Sequence, residues 1–179
     1  MSKRIEFHFN AKKALEVILW LATKKPNIGY HALLKTLFFA EEYHLNHYGR
    51  PIVGDVYLAM EYGPVASTTY DILKQEALAI ELLDDDLPFE NVNKKITPFR
   101  SPNLGKLSPS DIEALEYAVS QYGDYDFKSL TDISHQHPAW KKAREHNEHN
   151  PRMDYRDFFS DSDDEIIQDL VETSKFMRL

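Results

Sequence analysis

The segment from Tyr30 to Tyr48 constrains this chain more than any other. Leu33, Leu34, Leu37, Phe38, Ala40 and Leu45 recur along it at helical spacing and make it the most apolar helix expected in the sequence. Such a helix needs cover on several sides, so the remaining elements are expected to gather round it. Its limits are written in the chain. The connector Pro26-Asn27-Ile28-Gly29 precedes it, and Gly49, closely followed by Pro51, ends it.

The flanking segments read in the same way. Asn10 is a good cap for a helix running to about Lys24, with Ala11, Ala14, Leu15, Ile18, Leu21 and Ala22 on its apolar face and Pro26 as a stop. Residues 56–62 alternate and are rich in β-branched and aromatic types, which predicts a strand with Val56, Leu58, Met60 and Tyr62 on one face. Gly63-Pro64 then punctuates the chain, and Pro64 suits the first turn of a third helix reaching about Leu83. Two short apolar pieces within 87–100 suggest an edge hairpin limited by Pro88 and Pro98. Ser108-Pro109-Ser110-Asp111 is a capping-box start for a helix with Ile112, Leu115, Val119 and Tyr122 as its buried stripe. Further helices are expected over Phe127 to His135, from Pro138 through Trp140 and Ala143, and after a capping box of Ser162 and Glu165. The fold class is α+β and predominantly helical: residues 1–179 are expected to form one compact helical domain with a small antiparallel hairpin.

Composition narrows the chemistry. Hydrophobic residues at 42% and aromatics at 12% can build a core, which argues against disorder. No run of about 18 apolar residues occurs, and the charged start is not followed by an apolar stretch, so neither a membrane span nor a secretory signal is expected. The chain has no cysteine, which excludes disulfides, thiolate zinc sites and cysteine nucleophiles, and which fits a reducing cytoplasm. A net charge of −8 repels phosphate backbones and suits a basic partner.

Several constellations could carry chemistry. His44 and His47, like His146 and His149, have a helical spacing that could share a metal, and His135 lies close to His137. None stands in a His-Glu-x-x-His frame, so structural histidines are the plainer reading, and no metal or cofactor is expected. Glu41, His44 and Tyr48 fall on one stripe of the second helix and could form an acid–base array, or a polar network satisfying buried groups beside the strand. No Gly-x-Ser-x-Gly, Walker loop or Gly-x-Gly-x-x-Gly occurs. Gly63 to Thr68 could present helix-opening amides to an anion, though a helix cap is the simpler role. The basic residues come in scattered pairs, and Leu37, Phe38 and Phe39 stand where a recognition helix would be polar, so no direct nucleic-acid contact is expected. The tyrosines are more suggestive. Tyr57, Tyr62 and Tyr70 could pack the β element or offer contact area at an interface.

The stretch from Leu37 to Ile52, Leu-Phe-Phe-Ala-Glu-Glu-Tyr-His-Leu-Asn-His-Tyr-Gly-Arg-Pro-Ile, resembles the hallmark of the SocA-like antitoxin family, also called Panacea-domain or GepA-like phage-associated proteins. The likeness continues through Gly54-Asp55, Tyr57-x-Ala59, Gly63-Pro64-Val65 and Tyr70, and a later piece, Ser134-His135 with Pro138-Ala139-Trp140, is similar to the family's second signature. Phe38-Phe39 stands where tyrosine is often found in that family. The resemblance implies a helical fold with a small antiparallel sheet and a cytoplasmic antitoxin, encoded beside its cognate protein toxin and neutralising it by direct contact. It also marks Glu41, His44, Asp55, Tyr57, Tyr70, His135 and Trp140 as family-motif or partner-binding positions. Gly49, Pro51, Gly54, Gly63 and Pro64 are marked as scaffold. Asp55, Tyr57, His44 and Trp140 are the better candidates for a surface or groove, with scaffold the plainer role for each. Two other functions compete: an adaptor delivering the toxin to a protease, and a hydrolase using Glu41, His44 and Asp55.

Overall fold

The computed structural model describes residues 4–160 and 164–179. Helix α1 spans Ala11–Lys24; the Asn10 side chain accepts the Lys13 amide at 3.0 Å, as the cap reading requires. Its burial is wider than one face, running without a break from Lys13 to Ala22. Helix α2 spans Tyr30–Tyr48 and ends on Gly49, whose φ of +68° is the left-handed turn that glycine adopts without strain. The expected centre is the observed one: α1, α5 (Pro109–Tyr122) and α6 (Phe127–His135) all pack on α2, and α5 lies along it. Leu33, Leu37, Phe38 and Ala40 are wholly buried there.

The segment after α2 departs from expectation. Strand β1 covers only Tyr57–Met60, and Gly63–Ala66 is a second strand, β2, rather than the start of a helix. The two pair antiparallel, Tyr57 opposite Ala66 and Met60 opposite Gly63. Gly63 has a φ of +105°, which lets the chain reverse at once, and Pro64 is tolerated because this two-stranded sheet leaves it an unpaired edge. The buried face is also the other one. Tyr57 and Ala59 are buried, whereas Leu58 and Met60 are half-buried and Val56 and Tyr62 exposed. The returning chain decides this: Ala59 N donates to Pro151 O and Met153 N to Tyr57 O, clamping β1 from its far side.

Helix α3 is Ser67–Leu73, and the chain breaks at Gln75, with φ +62°, before the single turn α4 (Ala77–Ile80) and a 3-10 turn at Glu81–Leu83. The helix expected to run unbroken to Leu83 is therefore three pieces. The edge hairpin forms as read: β3 (Phe89–Val92) pairs with β4 (Lys95–Pro98) across Asn93-Lys94, both at positive φ, as a tight two-residue turn demands. Backbone bonds from Tyr30 N to Lys94 O and from Ile96 N to Ile28 O tie it to the start of α2.

Ser108 and Asp111 make the full capping box of α5. Its fully buried positions are Asp111, Ala114, Leu115 and Ala118, while Ile112, Val119 and Tyr122 are only half-buried. Small side chains let α5 approach α2 closely. Helices α6 and α7 (Pro138–Arg144) match their predicted limits. Helix α8 runs Asp164–Thr173 with Leu170 buried; the Ser162 half of its expected capping box lies outside the described residues.

Candidate functional site

The chain between α2 and β1 is a loop that the protein buries. Pro51, Ile52, Val53, Gly54 and Asp55 are all inside. A buried loop must find partners for backbone groups that water would otherwise satisfy. The motif residues supply them. Glu41, one turn before the end of the buried part of α2, accepts the Ile52 and Val53 amides, the latter at 3.0 Å, with one carboxylate oxygen each. His44 Nδ1 donates to Arg50 O at 2.7 Å, and its Nε2 lies 3.0 Å from the Ser110 hydroxyl and 3.4 Å from Asp111 Oδ1. Asn10 N reaches Val53 O at 2.9 Å, and the Tyr155 hydroxyl reaches Asp55 O at 2.6 Å.

Asp55 closes the network at the other end. Its Oδ1 accepts Val56 N at 2.8 Å and Thr68 N at 3.1 Å, and its Oδ2 accepts Thr69 N at 2.7 Å and the Thr69 hydroxyl at 2.8 Å. The helix-opening amides after Gly63-Pro64 therefore do hold an anion, but it is the protein's own. Beside this lies a buried ion pair absent from the sequence reading: Lys13 Nζ to Asp111 Oδ2 at 2.8 Å, with Arg50 Nη1 3.4 Å from Asp111 Oδ1. Burial pushes Glu41 up to about 7 against its two amide bonds, raises Asp55 against the threonine bonds, and lowers His44.

Asp55, Tyr57 and His44, candidates for a surface or groove, are thus fully buried. Tyr57 packs edge-on against Phe38, Phe158 and Tyr155, and its hydroxyl has no hydrogen-bond partner among the described residues. The acid–base array does not assemble either. Tyr48 turns outward and, with Tyr43, donates to the Glu113 carboxylate. The histidine pairs separate as well. His47 stacks on Tyr43 at the surface, His137 caps α7 and meets Glu42 at 3.1 Å, and His146 and His149 lie in the loop after α7. Among the described residues no group of three or more histidines, aspartates or glutamates could hold a metal.

The second signature does different work. The Trp140 ring stacks on His135 at 3.9 Å, Trp140 Nε1 donates to Met60 O at 3.1 Å, and His135 Nε2 to Glu61 O at 3.0 Å. The pair grips the tip of the β1–β2 hairpin and stays half-exposed. Gly63 is held so tightly there that a Cβ would fall 2.3 Å from Ser134 Oγ and 2.7 Å from Lys35 Cε. Lys35 itself is buried in α2 and donates to Pro64 O at 2.9 Å.

On the open side of this hairpin is a cleft of about 500 Å³ between α2, the hairpin, Tyr70 of α3 and Phe127 of α6. Tyr62 and Phe127, each 53% exposed, form its rim, 5.4 Å apart and edge to face. His31 stacks beneath Phe127 at 4.0 Å and is held by the Thr131 hydroxyl at 3.0 Å. Of the motif positions Val65 and Tyr70 line this cleft; Glu41, His44, Asp55 and Tyr57 do not. Sequence reasoning missed His31, Lys35 and Phe127. The available signal was a lysine set among the leucines of the most apolar helix, where a charge must find a special reason to be.

The family model described as antitoxin SocA-like, Panacea domain, matches residues 33–141, from within α2 to the second residue after Ala139. Neither a curated protein nor a solved structure matches the chain. The match covers well over half of the sequence and contains both the buried loop with its carboxylate partners and the His135–Trp140 grip, so the chain belongs to the SocA-like antitoxin family.

Proposed function

We propose that this protein neutralises a toxin encoded beside it by binding that toxin directly. The observation that carries the reading is the division of labour among its motif residues. Glu41, His44 and Asp55, the constellation weighed for a hydrolase, are instead bonded to the backbone of a buried loop and a helix start and to the Ser110 and Thr69 hydroxyls. That is scaffold work, and it leaves a stiff hairpin and a half-exposed aromatic rim facing solvent, a surface suited to gripping another folded chain. Tyr70, His135 and Trp140 belong to that side of the molecule and are the motif positions we assign to partner contact. The others hold its shape.

Residues 1–179 act in this reading as one unit, because α1, outside the family match, supplies Lys13 and much of the core. The cytoplasm is the compartment in which such a toxin would be met; no helix among the described residues is long and apolar enough to cross a membrane. The net charge of −8 favours a basic toxin and disfavours nucleic acid.

The test is co-expression. The adjacent gene expressed alone should arrest growth, and this chain should restore it while forming a complex that buries roughly 1,200–2,000 Å². The partner should persist in the rescued cells; its disappearance would favour delivery to a protease. Absence of arrest, or rescue without a complex, would overturn the proposal.

A further inference from the structure

The cleft beside the β1–β2 hairpin has an electrostatic character opposite to that of the chain. The protein carries a net charge of −8, yet His31, Lys35, Lys94 and Lys95 line this cleft and no acidic residue among the described ones does. Lys35 is the unusual member. It is 1% exposed, and its one recorded partner is the Pro64 carbonyl, although an ammonium has three hydrogens to donate. The other buried lysine, Lys13, is matched by Asp111. Burial with no carboxylate beside it lowers Lys35 to about 7. Above it, Tyr62, Phe127 and His31 are locked against one another although two of them are half-exposed. Aromatic side chains already ordered before contact lose little entropy on binding, as interface anchors do.

We propose that this cleft is where the toxin docks, and that it takes a toxin segment carrying an acidic side chain next to an apolar one. Lys35 receives the carboxylate, the Tyr62–Phe127 rim receives the apolar side chain, and Lys94 and Lys95 steer the approach. The inference rests on the toxin-contact reading. A segment of a larger chain fits better than an isolated metabolite, because small-molecule sites enclose most of their ligand, whereas these walls stay half in solvent.

Two measurements test it. The first needs no toxin. The ¹⁵N-labelled full chain is titrated with acetyl-Phe-Glu-Phe-amide and with its glutamine counterpart, to millimolar concentration. The glutamate peptide should shift amides around Tyr30–Lys35, Tyr62 and Phe127 and bind about tenfold tighter than the glutamine one; Lys35→Met should erase that difference. Shifts elsewhere only, or equal binding by both peptides, would overturn the proposal. The second uses the co-expressed toxin with Tyr62→Ala/Phe127→Ala and Lys94→Glu/Lys95→Glu, all surface positions whose variants should fold. Each double variant should weaken the complex by about tenfold or more and impair rescue. If the wild type rescues and both variants rescue and bind equally well, the cleft assignment fails while the antitoxin reading stands. If the wild type itself does not rescue, that reading fails and the peptide titration decides the cleft alone.

Discussion

The two ends of α2 handle charge in opposite ways. Near its C-terminus Glu41 and His44, together with Asp55 and Asp111 from neighbouring segments, are buried and matched to amides, a carbonyl or a lysine. Near its N-terminus Lys35 is equally buried but has one carbonyl for company, under a rim of aromatics open to water. The first arrangement is complete without a ligand. The second has one carbonyl and no carboxylate beside an open cleft, and the contrast separates residues that build the protein from those we assign to its partner.

The strongest test of that contrast is Asp55→Ala. It strands the amides of Val56, Thr68 and Thr69 in the interior and should destabilise the fold by about 3–5 kcal/mol in urea unfolding. Asp55→Asn, which keeps acceptor capacity, should lose less; equal losses would show that the charge, rather than the bonds, matters at this end.

Gly63→Ala comes next. A Cβ there meets Ser134 Oγ and Lys35 Cε at a φ of +105°, so a loss of about 2–3 kcal/mol is expected. Adding Ser134→Ala should recover part of it, because the nearest clash is then gone. No recovery would place the whole effect in the backbone.

The pH dependence of stability probes Lys35 itself. Its folded value of about 7 lies below the ordinary 10.5, so between those two the unfolded chain keeps a proton that the folded chain has released. The unfolded state then binds more protons, and stability climbs with pH across that window, by about 2 kcal/mol relative to Lys35→Met over roughly its first two pH units. The groups facing Lys35 are the Pro64 carbonyl and the histidines His31 and His135, neither histidine charged above neutral pH, when burial holds both low. Paired melts of wild type and variant at neutral and alkaline pH read the sign. A wild type that instead loses stability relative to Lys35→Met as pH rises would mean that Lys35 already has its anion.

The smallest stability effect belongs to the rim. Tyr62→Ala should change the unfolding free energy by less than about 1 kcal/mol, because half its surface is in water already. A larger loss would make Tyr62 part of the core and blur the division drawn above.

The family likeness was legible in the sequence because its motif is contiguous from Leu37 to Ile52, and this one stretch contains both the carboxylate of Glu41 and the amide of Ile52 that it holds. The roles were legible in part. Glu41 and His44 read as a polar network satisfying buried groups beside the strand, which they are, whereas Tyr48 turns away from it. Asp55 was a candidate for a surface or groove because polar side chains usually sit outside. The burial of Asp55 and His44 follows from a loop that needs donors and acceptors, and the partners come from Thr69, Ser110 and Tyr155, distant along the chain.

What the sequence settled by itself are features written within a few residues: the limits of α1, α2 and α6, the start of α7 and the capping box of α5. Caps, prolines and positive-φ turns act locally, so local reading suffices. Only the tertiary structure decided which face of β1 is buried, that Gly63–Ala66 is a strand, and that Lys35 lies under an aromatic cleft. Each of these depends on a contact from a remote segment (Pro151 and Met153 on β1, Ser134 on Gly63, Pro64 on Lys35), and burial is a property of the whole packed chain rather than of any window within it.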